Sequence, residues 1–147
     1  MASRDVYCYI TNLTGEQFNV DSQNVWDGDA SGGLSPQAIN PGDNATEVFH
    51  FSKSSAFSGV TGTVSYVLTD GSVLQLSFNC PYSQDGDEGY SNCFFYAGIT
   101  NVPEGGSQYY VAGCSVSIDG NSMNATYPAT GDTVSATVTI GPAPSNS

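Results

Sequence analysis

Histidine, cysteine, clustered carboxylates and loop aromatics are the residues of this chain that could do chemistry, and their spacing decides which chemistry. The single histidine, His50, sits in the run EVFHF, out of phase with Phe49 and Phe51. One imidazole cannot supply both the base and the partner of the usual hydrolytic sites. No serine or cysteine has a recognisable nucleophile context, and no spacing among the acids picks out a carboxylate pair for glycoside hydrolysis. The sequence therefore predicts a protein that is not an enzyme and needs no cofactor. Asp85-Gly86-Asp87-Glu88 offers carboxylates to calcium but lacks the third ligand, the glycine and the distal glutamate of an EF-hand loop. It is read as a solvated turn, as are Asp27 and Asp29 beside Gly28.

The four cysteines, Cys8, Cys80, Cys93 and Cys114, show no CxxC spacing, so zinc has no support. By parity Cys8 runs with Val6 and Ile10, Cys80 with Leu76 and Phe78, and Cys114 with Val116 and Ile118. That pattern predicts buried free thiols; a Cys80–Cys93 bridge closing the acidic segment is the alternative. Among the aromatics, Tyr9, Phe49, Phe51, Tyr66 and Phe78 fall in alternating runs and belong to the core or to cross-strand pairs. Trp26, Phe57, Tyr82 and Tyr90 lie in or beside segments without alternation. Trp and Tyr suit a membrane interface, where ring and polar edge are both satisfied.

The elements that must position these residues are strands. Ser58 to Tyr82 carries two alternating runs that meet at Thr69-Asp70-Gly71. A two-residue Asp-Gly turn would mix the faces. A three-residue loop with Gly71 left-handed pairs Tyr66 with Leu74 and Val64 with Leu76, leaving one face apolar and the other polar. Val6 to Ile10 alternates up to a turn at Asn12–Gly15, and a short strand follows through Phe18 and Val20. Residues 21–43 read as a long loop around Trp26, pinned at its far end by Ile39. Further strands run through Phe49 and Phe51, from Tyr109 to Ile118, and through Val134, Val138 and Ile140. The pattern predicts an all-β, single-domain antiparallel β-sandwich over residues 1–141, with residues 142–147 a disordered tail.

At 147 residues the chain can bury about 68–70% of its unfolded surface without cross-links. Acids number 14 against 2 basic residues, a net charge of −12. Nucleic acid, which is bound through clustered Lys and Arg, is excluded, and strongly anionic lipid is disfavoured. The opening residues MASRDVYCYI have no apolar signal core and no stretch is long enough for a spanning helix; the expectation is a soluble protein without a classical signal peptide. Three Asn-x-Thr sequons, at Asn12, Asn44 and Asn124, are read as chance.

The run Gly59-Val60-Thr61-Gly62-Thr63, the polar hairpin turn and Phe78-Asn79-Cys80-Pro81-Tyr82 resemble the middle of the aegerolysin family, with its GTTGT-like run and CPW-like tripeptide. VYCYITNLTG is similar to that family's first strand and turn. The resemblance covers the first two thirds of the chain. It implies a small β-sandwich that binds a target-cell membrane lipid or receptor and works outside the producing cell with a larger pore-forming partner, of MACPF or binary-toxin type. It puts Trp26 at the family's loop tryptophan and Tyr82 at the aromatic of CPW. Ser58 stands where fungal members have a carboxylate, and Asp5 where they have a tryptophan, so the bacterial insecticidal branch is the closer analogy. The candidate surface is thus Trp26, Phe57, Ser58, Tyr82 and Tyr90, with homo-oligomerisation left open. A β-sandwich sugar-binding or adhesive module, using Trp26 and Tyr82 as stacking platforms, is the other reading.

Overall fold

A computed structural model describes residues 4–53, 59–81, 92–123 and 127–144, without the side chain of Trp26. Their strands are β1 Arg4–Asn12, β2 Asn19–Asp27, β3 Asp29–Leu34, β4 Thr46–Lys53, β5 Val60–Val67, β6 Val73–Cys80, β7 Phe94–Thr100, β8 Tyr109–Ile118, β9 Asn121–Met123 and β10 Thr133–Pro142. They form two sheets, ordered β3-β4-β1-β10-β8-β9 and β2-β5-β6-β7, packed as the expected all-β sandwich. One pair departs from antiparallel order: β1 and β10 run parallel in the middle of the wider sheet.

Alternation explains why these segments are strands. In β1, Val6, Cys8 and Ile10 are buried, and in β10 so are Val134, Ala136, Val138 and Ile140, while the residues alternating with them are half-buried. Period-two patterning lets one face of a sheet pack and the other meet water. The two inner faces join through aromatic rings. Phe49 and Phe51 of β4 lie 5.5 and 5.7 Å from Phe78 of β6, which lies 6.1 Å from Phe95 of β7. Contacts at these spacings add about 0.5–1.5 kcal/mol per pair beyond area burial.

The β5–β6 hairpin adopts the anticipated register, with Tyr66 opposite Leu74 and Val64 opposite Leu76. Leu68 N–H donates to Ser72 O at 2.8 Å around Thr69-Asp70-Gly71, and Gly71 has φ +88°. The Asn12 turn also forms: the side-chain amide of Asn12 donates to Glu16 O and Asn40 O while its oxygen accepts from Thr14. Being buried and fully bonded, Asn12 is not a glycan acceptor; Asn44 is exposed, and Asn124 lies outside the described residues. Ile39 pins its segment as expected, exchanging both backbone hydrogen bonds with Phe18 at 2.9 Å. Strand β10 continues through Pro142, and Ala143 N–H donates to Gln108 O.

Residues 21–43, however, are not one long loop. They contain most of β2 and all of β3, the edge strands of their respective sheets. Asn19 to Asn24 are exposed, and β3 shows no regular burial. An edge strand held mainly by its backbone ladder leaves little apolar alternation to read. Cys114 also differs. It pairs with Val138 and keeps the parity of Val116, but it is exposed, at a margin of the sandwich where β8 meets the edge strand β7.

The end of the molecule that carries the β5–β6 turn closes on Asp70. Its carboxylate accepts from Ser72 N–H at 2.9 Å, the Ser72 hydroxyl, Ser107 Oγ at 2.9 Å and Gln108 N–H at 2.8 Å. Burial pushes the Asp70 carboxyl up, but these donors outweigh it and hold the group at about 2. A carboxyl depressed on folding stabilises the protein fully above its unfolded value of about 3.9, and the gain is lost as pH falls towards the folded value. Asp70→Ala should cost about 2 kcal/mol at pH 7. Urea unfolding of both proteins across pH should show the difference shrinking between about pH 4 and pH 2.

Candidate functional site

The opposite end of the sandwich gathers the segments that the sequence singled out. There β2 ends at Asp27, β3 begins at Asp29, β4 ends at Lys53, β5 begins at Val60, β6 ends at Cys80 and β7 begins at Phe94. Val60 pairs with Cys80, and Asn79 with Phe94. The chain passes from one sheet to the other at Gly28, whose φ is +89° and whose missing Cβ would lie 3.1 Å from Val60 Cγ2. Asp27 Oδ2 accepts from Gly59 N–H at 3.0 Å, tying the end of β2 to the entry of β5. Behind them the Thr61 hydroxyl donates to Asn79 Oδ1 at 2.6 Å, and Asn79 Nδ2 donates to Asn92 O at 2.7 Å. These buried polar groups are spent on one another and hold the starts and ends of three segments together.

Between the edge strands lies a cleft of about 340 Å³, lined by Gln23, Asn24 and Val25 of β2, Gly28, Asp29, Ala30 and Ser35, with Phe51 at its base. Its walls are amide, hydroxyl and carboxylate groups over one ring, a lining that suits a small polar group. Asp29 accepts from the Ser31 hydroxyl at 2.6 Å and its N–H at 2.9 Å, which hold its carboxyl below the ordinary range. Both of the chain's full positive charges stand at this end. Arg4 opposes Lys53 in the β1–β4 ladder. Arg4 is paired with Asp132 at 3.4 Å, and Lys53 acts electrostatically on Asp29.

The fold is shared with a solved β-sandwich protein. The lipid binding protein Nakanori superposes with a TM-score of 0.54 at 13% identity, over 95% of this chain and 70% of its own. A lectin of Xerocomus chrysenteron, XCL, gives a TM-score of 0.46 at 13% identity, over 94% of this chain and 99% of its own. No protein-family model and no curated protein sequence matches the chain.

Of the five candidate residues, Trp26 lies in β2 next to the cleft-lining Val25, with its side chain outside the described residues. Phe57, Ser58, Tyr82 and Tyr90 also lie outside them, as does Asp85-Gly86-Asp87-Glu88; the described strands before and after these residues end and begin at this end. Tyr9 is on the outer sheet face, stacked 6.4 Å from Tyr7. Tyr7 covers His50 at 3.9 Å, and His50 Nε2 is 2.7 Å from Asp5 Oδ1. The imidazole is committed to a structural pair.

Sequence reasoning did not single out Arg4, Lys53, Gln23, Asn24 or Ser35. The rarity of positive charge could have pointed to Arg4 and Lys53; the polar residues of β2 carry no signal apart from the neighbouring strand. Gly62 shows how the structure uses the glycine of the Gly59–Thr63 run. It pairs with Val25, and a Cβ there would lie 2.8 Å from Val25 Cα and 2.9 Å from Asn24 O. Gly62→Ala should therefore push β2 away from β5 and cost about 1–3 kcal/mol. Urea titration should show that loss, and the emission of Trp26, the sole tryptophan, should change in the folded variant.

Proposed function

We propose that this protein is a non-enzymatic membrane-recognition protein that binds a lipid head group or membrane receptor through the cleft end of its sandwich and recruits a larger pore-forming partner. The observation that carries the reading is the charge of that end. Arg4 and Lys53, the only full positive charges, stand beside Asp132 and Asp29. On a chain of net charge −12 such a surface is poorly suited to an anionic bilayer. It offers a cation to a phosphate and carboxylates to a quaternary ammonium, the two halves of a zwitterionic head group. Trp26, Phe57, Ser58, Tyr82 and Tyr90 would complete the surface, the rings entering the interface where Trp and Tyr are favoured.

The lipid-binding description of Nakanori and its shared fold support the general class. The finer role, the small component of a two-component, possibly insecticidal, pore-forming toxin acting extracellularly on target cells, rests on the resemblance to aegerolysins in Gly59–Thr63 and Cys80-Pro81-Tyr82. A second reading, a sugar-binding module, is favoured by the amides and carboxylate of the cleft, Gln23, Asn24 and Asp29, which could receive sugar hydroxyls.

A vesicle and glycan panel tests the first reading against the second. Vesicles bearing choline head groups should bind saturably and phosphatidylserine vesicles should not, whereas saturable glycan binding with no vesicle binding would overturn the membrane reading. Trp26→Ala should lower vesicle binding at least tenfold while leaving stability within about 0.5 kcal/mol, as for a surface change. Trp26 emission in the parent should shift to the blue on adding vesicles. A loss of about 3–5 kcal/mol with an unmoved spectrum would make it a core residue instead.

The protein alone should release no dye from the vesicles it binds. A barrel-forming segment must leave the fold to line a pore. The long alternating strands β1, β4, β5, β6 and β10 supply the buried core. Dye release at modest protein concentration without a partner would contradict this.

A further inference from the structure

The end of the β6–β7 ladder brings two thiols face to face. Asn79 pairs with Phe94, so the next antiparallel step sets Cys80 opposite Cys93. Both are fully buried and reduced, and both follow the parity of Phe78 and Phe95 towards the core. Opposed residues of an antiparallel pair have Cα atoms about 4.5–5.5 Å apart, within the range that a disulfide spans. Gly131 confirms the juxtaposition independently of the ladder. Cys80 Sγ donates to Gly131 O at 3.3 Å, and a Cβ built on Gly131 would lie 3.3 Å from Cys93 Sγ. The two sulfurs therefore share one backbone neighbour, and Cys93 N–H is fixed to Pro128 O at 3.0 Å.

We propose that Cys80 and Cys93 are a redox modification site, a dithiol that a small peroxide converts to a disulfide joining β6 to β7 at the cleft end of the sandwich. The two sulfurs have different roles. The Cys80 thiol keeps its proton on Gly131 O, and contact with that thiol holds Cys93 below its ordinary value, so the Cys93 thiolate is the nucleophile. It attacks one oxygen of hydrogen peroxide, the O–O bond breaks, and hydroxide leaves and takes a proton to become water, giving the sulfenic acid. Cys80 sulfur then attacks the Cys93 sulfur, its proton goes to the departing hydroxyl, and a second water is released. Two thiols and one peroxide become one disulfide and two waters, the cysteine pair losing two electrons. Cys8 lies buried in β1, and Cys114 is exposed on β8, so neither is the predicted partner of this pair.

The test is to treat the folded full chain with millimolar hydrogen peroxide, quench, denature and alkylate with a maleimide. The expected product carries two labels where the untreated protein carries four, and digestion yields a peptide cross-linked through Cys80 and Cys93 that dithiothreitol separates. The Cys8→Ser/Cys114→Ser variant should still lose two labels, and Cys93→Ser should form no cross-link at Cys80. Retention of all four labels in the parent, stepwise oxygen addition at Cys93 without a cross-link, or a bridge between other cysteines would overturn the proposal. The peptide map of the parent decides the question even if Cys93→Ser does not fold.

Discussion

The parallel ladder between β1 and β10 sets the frame on which the other strands hang. Eight residue pairs, from Asp5 with Thr133 to Asn12 with Ile140, hold the two strands side by side, with β4 added on one flank and β8 on the other. Parallel pairing is slightly weaker per residue than antiparallel pairing. Here burial compensates: Val6, Cys8, Ile10, Val134, Ala136, Val138 and Ile140 are all at most 1% exposed. Because both strands start at one end, that end is sealed by backbone bonds, Asp5 N–H to Asp132 O at 2.8 Å and Asp119 N–H to Thr133 O at 2.9 Å. Strands β2, β4 and β6 end, and β3, β5 and β7 begin, at the same end as this seal.

What could be read from the sequence follows how much each strand buries. The β5–β6 hairpin was legible down to its turn type because Val64, Tyr66, Leu74 and Leu76 are all fully buried and any slip would expose them. Strands β1, β4 and β10 were legible for the same reason. The edge strands were not. Strand β2 reads NVDSQNVWD and β3 reads DASGGL; they are stabilised by β5 and β4 and show almost no apolar face of their own. Strand β7 opens on the aromatic run Phe94-Phe95-Tyr96 but carries no sustained alternation. Its pattern breaks after Phe95, and Tyr96 faces water. The parallel β1–β10 contact was also invisible, since a pairing between the first and last strands leaves no local periodicity or turn signature. For the candidate site, the sequence identified the segments but not the cleft, because a cleft between two sheet edges depends on how the sheets superpose.

The charge of the chain has a structural counterpart at its two ends. A net charge of −12 should strain a compact fold through self-repulsion, yet there are too few cations to neutralise it. Many carboxylates are instead solvated by donors of the protein itself. Asp70 takes four such hydrogen bonds, Asp119 accepts from the N–H groups of Asp132 and Thr133, Asp27 from Gly59 and Asp43 from Asn40. Each of these bonds stabilises a negative charge and at the same time fixes a turn, so the acids serve as staples that need no positive partner. The consequence is that positive charge need not be spread over the molecule to hold these turns. It is concentrated at the ends of β1 and β4, where Arg4 and Lys53 oppose each other. A field of one sign over most of the surface, interrupted at one end by two cations among carboxylates, would repel bulk anions and still leave one locally balanced patch.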